Sequence, residues 1–87
     1  MDADLEAVRR ALHDHLVREI LLRRAPIRPE EDLFELGFDS MSLARVLVFV
    51  EERWGVAIPD EDVVIDEIAT LDRMARFVAG RVAAARG

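Results

Sequence analysis

The sequence predicts an all-α fold, a small antiparallel four-helix bundle made of three longer helices and one short one, with a long first loop. Three observations lead there. Apolar residues recur at three- and four-residue steps in three separate stretches, the period of a helix with one buried face. Prolines and a glycine fall between those stretches and not inside them, at Pro26, Pro29, Gly55 and Pro59, where they end or start helices. No stretch alternates as a half-buried strand does, and 87 residues suit one small domain, here residues 1–87.

The first helix is carried by Leu5, Val8, Ala11, Leu12, Leu16 and Ile20. Asp4 or Asp2 can cap it, and Glu6 suits the positive end of the helix dipole. It is expected to end near Arg23 or Arg24, because Pro26 disfavours helical geometry at Ala25 and cations suit a C-terminus. Both histidines lie on this helix. His13 and His15 are two apart and do not face one another. His15 and Glu19 are four apart, but no third ligand is in view, so both histidines are read as solvated helix residues and no metal is expected. Residues 25–38 then form a loop, stiffened by Pro26 and Pro29, wetted by Glu30, Glu31 and Asp32, and pinned by Ile27, Leu33, Phe34 and Leu36.

Met41 to Trp54 is the most apolar segment. Leu43, Val46, Leu47 and Val50 make one stripe, which Val48, Phe49 and Trp54 widen. Its valines would also suit a strand, but its length and spacing favour a helix, ended by Gly55. Val56 to Pro59 reads as an extended link. Pro59 followed by three acids starts a short helix over about residues 60–66. Thr70 caps the last helix, with Leu71, Met74, Ala75, Val78 and Val82 facing inward to about Ala85. Gly80 weakens it slightly, and Arg86-Gly87 is expected to fray.

Composition excludes several classes of function. There is no cysteine, hence no disulfide framework and no thiol of the chain's own. The acidic N-terminus is unlike a signal peptide, and the longest strictly apolar run, Val46 to Val50, cannot span a bilayer. A soluble, cytoplasmic protein with no membrane partner is therefore expected. Residues 30–67 hold twelve acids against only Arg45 and Arg53, a net charge of −10, within a chain of net charge −6. That middle repels nucleic acid and attracts basic protein surfaces.

The stretch with chemical character is Asp32 to Leu43. Ser40 stands beside Asp39 at a helix start, where a serine is ordinarily a cap. It has no neighbouring base in sequence: the histidines are on the first helix and the chain has no lysine, so a nucleophilic triad is not supported. Gly37 stands alone, without the companions of a phosphate-binding loop. A phosphodiester at this helix N-terminus would nevertheless gain about 0.3–1 kcal/mol from the dipole. Gly37, lacking a side chain, would admit another protein closely. Read from the residues alone, Ser40 is either a cap or a handle that another enzyme modifies.

Leu36-Gly37-Phe38-Asp39-Ser40-Met41 resembles the phosphopantetheine attachment motif of acyl and peptidyl carrier proteins: Gly, any residue, Asp, Ser, then an apolar residue. Asp32-Leu33-Phe34-Glu35 is similar to the family's approach to that motif. Val50 to Asp60 is similar to its acidic helix end, aromatic residue and Ile-Pro-acid link. The likeness spans about residues 5–82. The resemblance implies that Ser40 receives 4′-phosphopantetheine from coenzyme A through a phosphopantetheinyl transferase, with Gly37 and Asp39 shaping the site. It implies a carrier and not an enzyme: the arm's thiol would hold an acyl or aminoacyl group as a thioester, loaded by one enzyme and presented to downstream synthase or tailoring enzymes.

Against the family pattern, Ser42 and Arg45 stand where acids are common, while Glu51 and Glu52 keep the acidic habit. Met41, Ser42, Arg45, Glu51 and Glu52 are the expected docking residues. Arg45 points away from an all-acidic fatty-acid carrier and towards a discrete carrier of polyketide, nonribosomal peptide or related secondary metabolism, and a monomer is expected. Phe34, Leu47, Ile58, Val63 and Ile68 are candidates to line a cargo cavity, or else plain core. The competing readings are a helical protein–protein adaptor in which Ser40 only caps a helix, and a nucleic-acid-binding domain, which the charge disfavours.

Overall fold

The computed structural model describes residues 4–86. Three α-helices carry the fold: α1 Leu5–His15, α2 Ser40–Trp54 and α3 Leu71–Arg86. The short helix expected over residues 60–66 is replaced by two 3₁₀ turns, Asp60–Asp62 and Ile65–Ile68. The physical reason lies between them. Val63 and Val64 are extended, at φ −86°, ψ 126° and φ −100°, ψ 129°, the backbone that β-branched residues favour. That break lets Ile68 reach the core, where it is 2% exposed.

α1 starts at Asp4, whose Oδ1 accepts the Glu6 N–H at 3.2 Å; the other candidate cap, Asp2, lies outside the described residues. Val8, Leu12 and Leu16 are buried, and α1 packs chiefly against α3. Its end departs from expectation. Over Leu16–Ile20 the helix widens to π geometry, with the Leu21 N–H reaching Leu16 O at 2.7 Å. It stops before Arg23, because Leu22 adopts φ 52°, a left-handed conformation that an L side chain cannot continue as a right-handed helix.

The long loop is fastened at several points. The Ile27 N–H donates to His13 Nε2 at 3.0 Å. Pro29 O accepts the Asp72 N–H at 2.9 Å, and the Leu33 N–H donates to Ala69 O at 2.8 Å. Asp32 and Thr70 pair as an isolated antiparallel bridge. Ile27 and Leu33 are buried as expected and Leu36 is half-buried, but Phe34 remains 37% exposed. Phe38, at 3%, holds the core place instead.

In α2, Val46 and Val50 are buried, while Leu43, Leu47, Phe49 and Trp54 pack against the core edge. Val48 does not widen that stripe; it faces solvent at 56%. Gly55, at φ 72°, ends the helix with its N–H on Glu51 O at 2.8 Å, the left-handed stop that glycine takes without steric cost. α3 begins on Thr70, whose Oγ1 accepts the Arg73 N–H at 3.1 Å. All five residues expected to face inward from α3 are buried. It runs through Arg86; Gly87 lies outside the described residues.

The histidines also depart from expectation. His13 holds the loop through Ile27, and His15 stacks on Phe49 of α2 with ring centroids 4.0 Å apart and planes 10° from parallel. Among the described residues no group of three or more His, Asp or Glu side chains could hold a metal ion.

Candidate functional site

The start of α2 is built by its loop. A tight turn runs over residues 33–38, with Leu36 and Phe38 N–H groups both on Leu33 O at 3.0 Å and the Gly37 N–H on Phe34 O at 3.2 Å. Gly37 leaves that turn at φ 104°, and a Cβ there would meet nothing within 4 Å. Its glycine is therefore required by backbone conformation, not by lack of space. The turn seats Phe38 in the core and swings Asp39 to the helix end.

Asp39 is the cap. Its Oδ1 accepts the Ser42 N–H at 2.9 Å and the Ser42 hydroxyl at 3.0 Å. These bonds, the backbone one first, hold its carboxyl below the ordinary aspartate value of 3.8, since both favour the charged form. Ser40 is thus not the cap that a serine in this position ordinarily is. It is the first residue of α2, exposed, and its hydroxyl takes no part in closing the helix end. Ser42 moves the other way: it is 8% exposed and spends its hydroxyl on Asp39, so it does not share the outer face.

Beside Ser40 lies an apolar cleft of about 180 Å³, walled by Phe34, Phe38, Leu43, Ile65 and Ile68, with Asp39 and Ser40 at its rim. Of the five side chains considered for a cavity, Phe34 and Ile68 line it. Leu47, Ile58 and Val63 do not; Ile58 is buried in the core at 6%. Phe38, Leu43 and Ile65 were not legible as lining, because their placement depends on the turn after Leu33 and on the 3₁₀ turn at Ile65. Asp39 is the single titratable group among the residues that line this cleft, and its Oδ1 is committed to Ser42. An exposed hydroxyl at the positive end of a helix, next to an apolar groove, suits attachment of an anionic ester by an outside catalyst.

The outer face of α2 carries Met41 (77% exposed), Ala44, Arg45, Val48, Glu51 and Glu52 at helical spacing. Met41 is therefore surface and not core filler. Arg45 is exposed but not free-swinging: its Nη2 donates to Glu19 O at 3.0 Å, tying α2 to the end of the first helix. That carbonyl is one of the terminal acceptors of a helix, where a cation is favoured.

The family model described as "Phosphopantetheine attachment site" matches residues 10–78, a span that includes Ser40 and every wall of the cleft. The chain is also similar to a protein named acyl carrier protein from Wolinella succinogenes, at 28% identity over 68 residues, covering 71% of this chain and 87% of that protein. No solved structure matches.

Proposed function

The chain belongs to the phosphopantetheine attachment site family, and we propose that Ser40 is the residue to which its arm is tied. A member of this family is a carrier bearing a covalently attached 4′-phosphopantetheine, and not itself a catalyst. The observation that carries the assignment to Ser40 is the division of labour at the start of α2: Asp39 takes the cap, which leaves the exposed Ser40 hydroxyl available. When bound, the group supplies a thiol at the end of a flexible arm, where an acyl or aminoacyl cargo is held as a thioester.

The chain's own residues orient and shelter. Gly37 turns the backbone, Asp39 locks the first turn, and the apolar cleft offers the arm or a short cargo a surface away from water. Met41, Arg45, Glu51 and Glu52 form the docking face for the transferase, the loading enzyme and later synthase or tailoring enzymes. Ser42 supports that face from inside. The mixed charge, Arg45 amid acids, supports a carrier of secondary metabolism whose loading enzyme presents an acid to Arg45. No helix among the described residues is long and apolar enough to cross a membrane.

The test is intact-mass measurement after incubation with coenzyme A and a promiscuous phosphopantetheinyl transferase. One phosphopantetheine adduct is expected on the wild type and none on Ser40→Ala. An unmodified wild type would overturn the assignment and leave an adaptor of carrier-like fold.

A further inference from the structure

His13 is joined to the fold by both ring nitrogens, and the chemistry of its two partners decides which nitrogen holds the proton. Nε2 receives the Ile27 backbone N–H at 3.0 Å. A backbone N–H can only donate, so Nε2 presents a lone pair. The proton of the neutral ring then sits on Nδ1, which donates to Asp14 Oδ1 at 3.1 Å. The bond to Ile27 exists only while the ring is neutral.

That bond is the first fastening of the long loop. The next ones, Pro29 to Asp72 and Leu33 to Ala69, run between backbone groups and do not titrate. We infer that His13 is a proton-sensitive clasp: protonating Nε2 expels the Ile27 N–H and frees the loop between the end of the first helix and Pro29, while the segment that leads into Ser40 keeps its anchors. Ile27 is 4% exposed and its bond to His13 is part-buried, so an N–H that loses His13 is short of an acceptor until the segment opens further to water.

The charges around the ring do not cancel this. Glu6, Arg9, Arg10 and His13 share one cleft with Ile27. Arg9 is already paired with Glu6 at 2.6 Å and with Asp72 at 2.8 Å. Asp14 welcomes the imidazolium, and its bond to His13 is the main cause that holds its own carboxyl below 3.8. That attraction acts through Nδ1, on the far side of the ring from Ile27, and supplies no acceptor for the orphaned N–H. Arg10 opposes the added charge. His15, the other imidazole of α1, is stacked on Phe49 and accepts nothing from the loop. Burial, ahead of the attraction of Glu19, the opposition of Arg45 and the attraction of Glu52, lowers its proton affinity. It adds a pH dependence of its own, which the experiment has to separate.

Amide hydrogen exchange by NMR on the full chain, corrected for the intrinsic rate at each pH, makes that separation without any need for loading. The Ile27 protection factor is expected to fall about tenfold or more as the His13 ring signals titrate, with Leu33 little changed. His13→Gln, which offers a non-titrating acceptor at similar reach, should retain Ile27 protection over the same range. His15→Phe, which keeps the stack, should behave as wild type at Ile27. Protection at Ile27 that survives full protonation of His13, or that is lost equally in His13→Gln, overturns the clasp. Should His13→Gln fail to fold, the wild-type titration alone decides.

Discussion

Two helices of this protein have a hydroxyl-bearing residue at their start, and the two hydroxyls meet opposite fates. At the start of α3, Thr70 is the cap, and its Oγ1 accepts the Arg73 N–H at 3.1 Å. At the start of α2, Asp39 is the cap, and Ser40 falls one place inside the helix with its hydroxyl outside the capping bonds. Thr70 is half-buried and bridged to the loop through Asp32, whereas Ser40 is exposed. One position along the chain separates a hydroxyl used to close a helix from one left available for chemistry. Capping by a neighbour leaves a hydroxyl at a helix start accessible.

Substitutions at the two starts should separate these roles. The largest effect is expected for Ser40→Ala, which should abolish loading completely yet shift stability by no more than about 0.5 kcal/mol, as for a surface residue outside any cap. Intact mass and urea unfolding check the two halves. A large loss of stability would mean that Ser40 does structural work here as Thr70 does.

Thr70→Ala should do the reverse, costing about 1 kcal/mol in urea unfolding for the lost cap while leaving loading intact. Equal loading rates would confirm that the start of α3 is structural only.

Asp39→Ala removes the acceptor for both Ser42 bonds, and its signature is in pH. A carboxyl held below 3.8 in the folded state favours folding while it is ionised. Its contribution is therefore present above that value and is lost as pH falls below it. The melting-temperature gap between wild type and Asp39→Ala should be open at about pH 6 and close towards about pH 2. A gap that stays constant would remove Asp39 from the cap.

Arg45→Glu should disturb stability as little as Ser40→Ala does. It removes one exposed bond to Glu19 O and should cost at most about 0.5 kcal/mol. It should nevertheless slow acylation by the cognate loading enzyme, seen as a raised KM. Unchanged kinetics would take Arg45 off the docking face and leave it as a tie between helices.

Much of the fold and of the candidate site could be read from the residues in order. The inward stripe of α3, the stop at Gly55 and the run Gly37-Phe38-Asp39-Ser40 depend on local spacing and on backbone preferences that act within a turn or two. What the sequence by itself determined is therefore the helices, their approximate bounds and the residue that offers a hydroxyl at a helix start. Tertiary structure decided the rest. It buried Ser42, turned Val48 outward, split the short helix at Val63-Val64 and assigned the cap to Asp39. It made His13 a fastening and His15 a stacking partner, where periodicity had placed both on a solvated face. The physical reason is range. A stripe records which face of a helix is apolar, but a hydrogen bond from Ile27 to His13, or a ring from α1 laid on Phe49, exists only once distant segments have packed together.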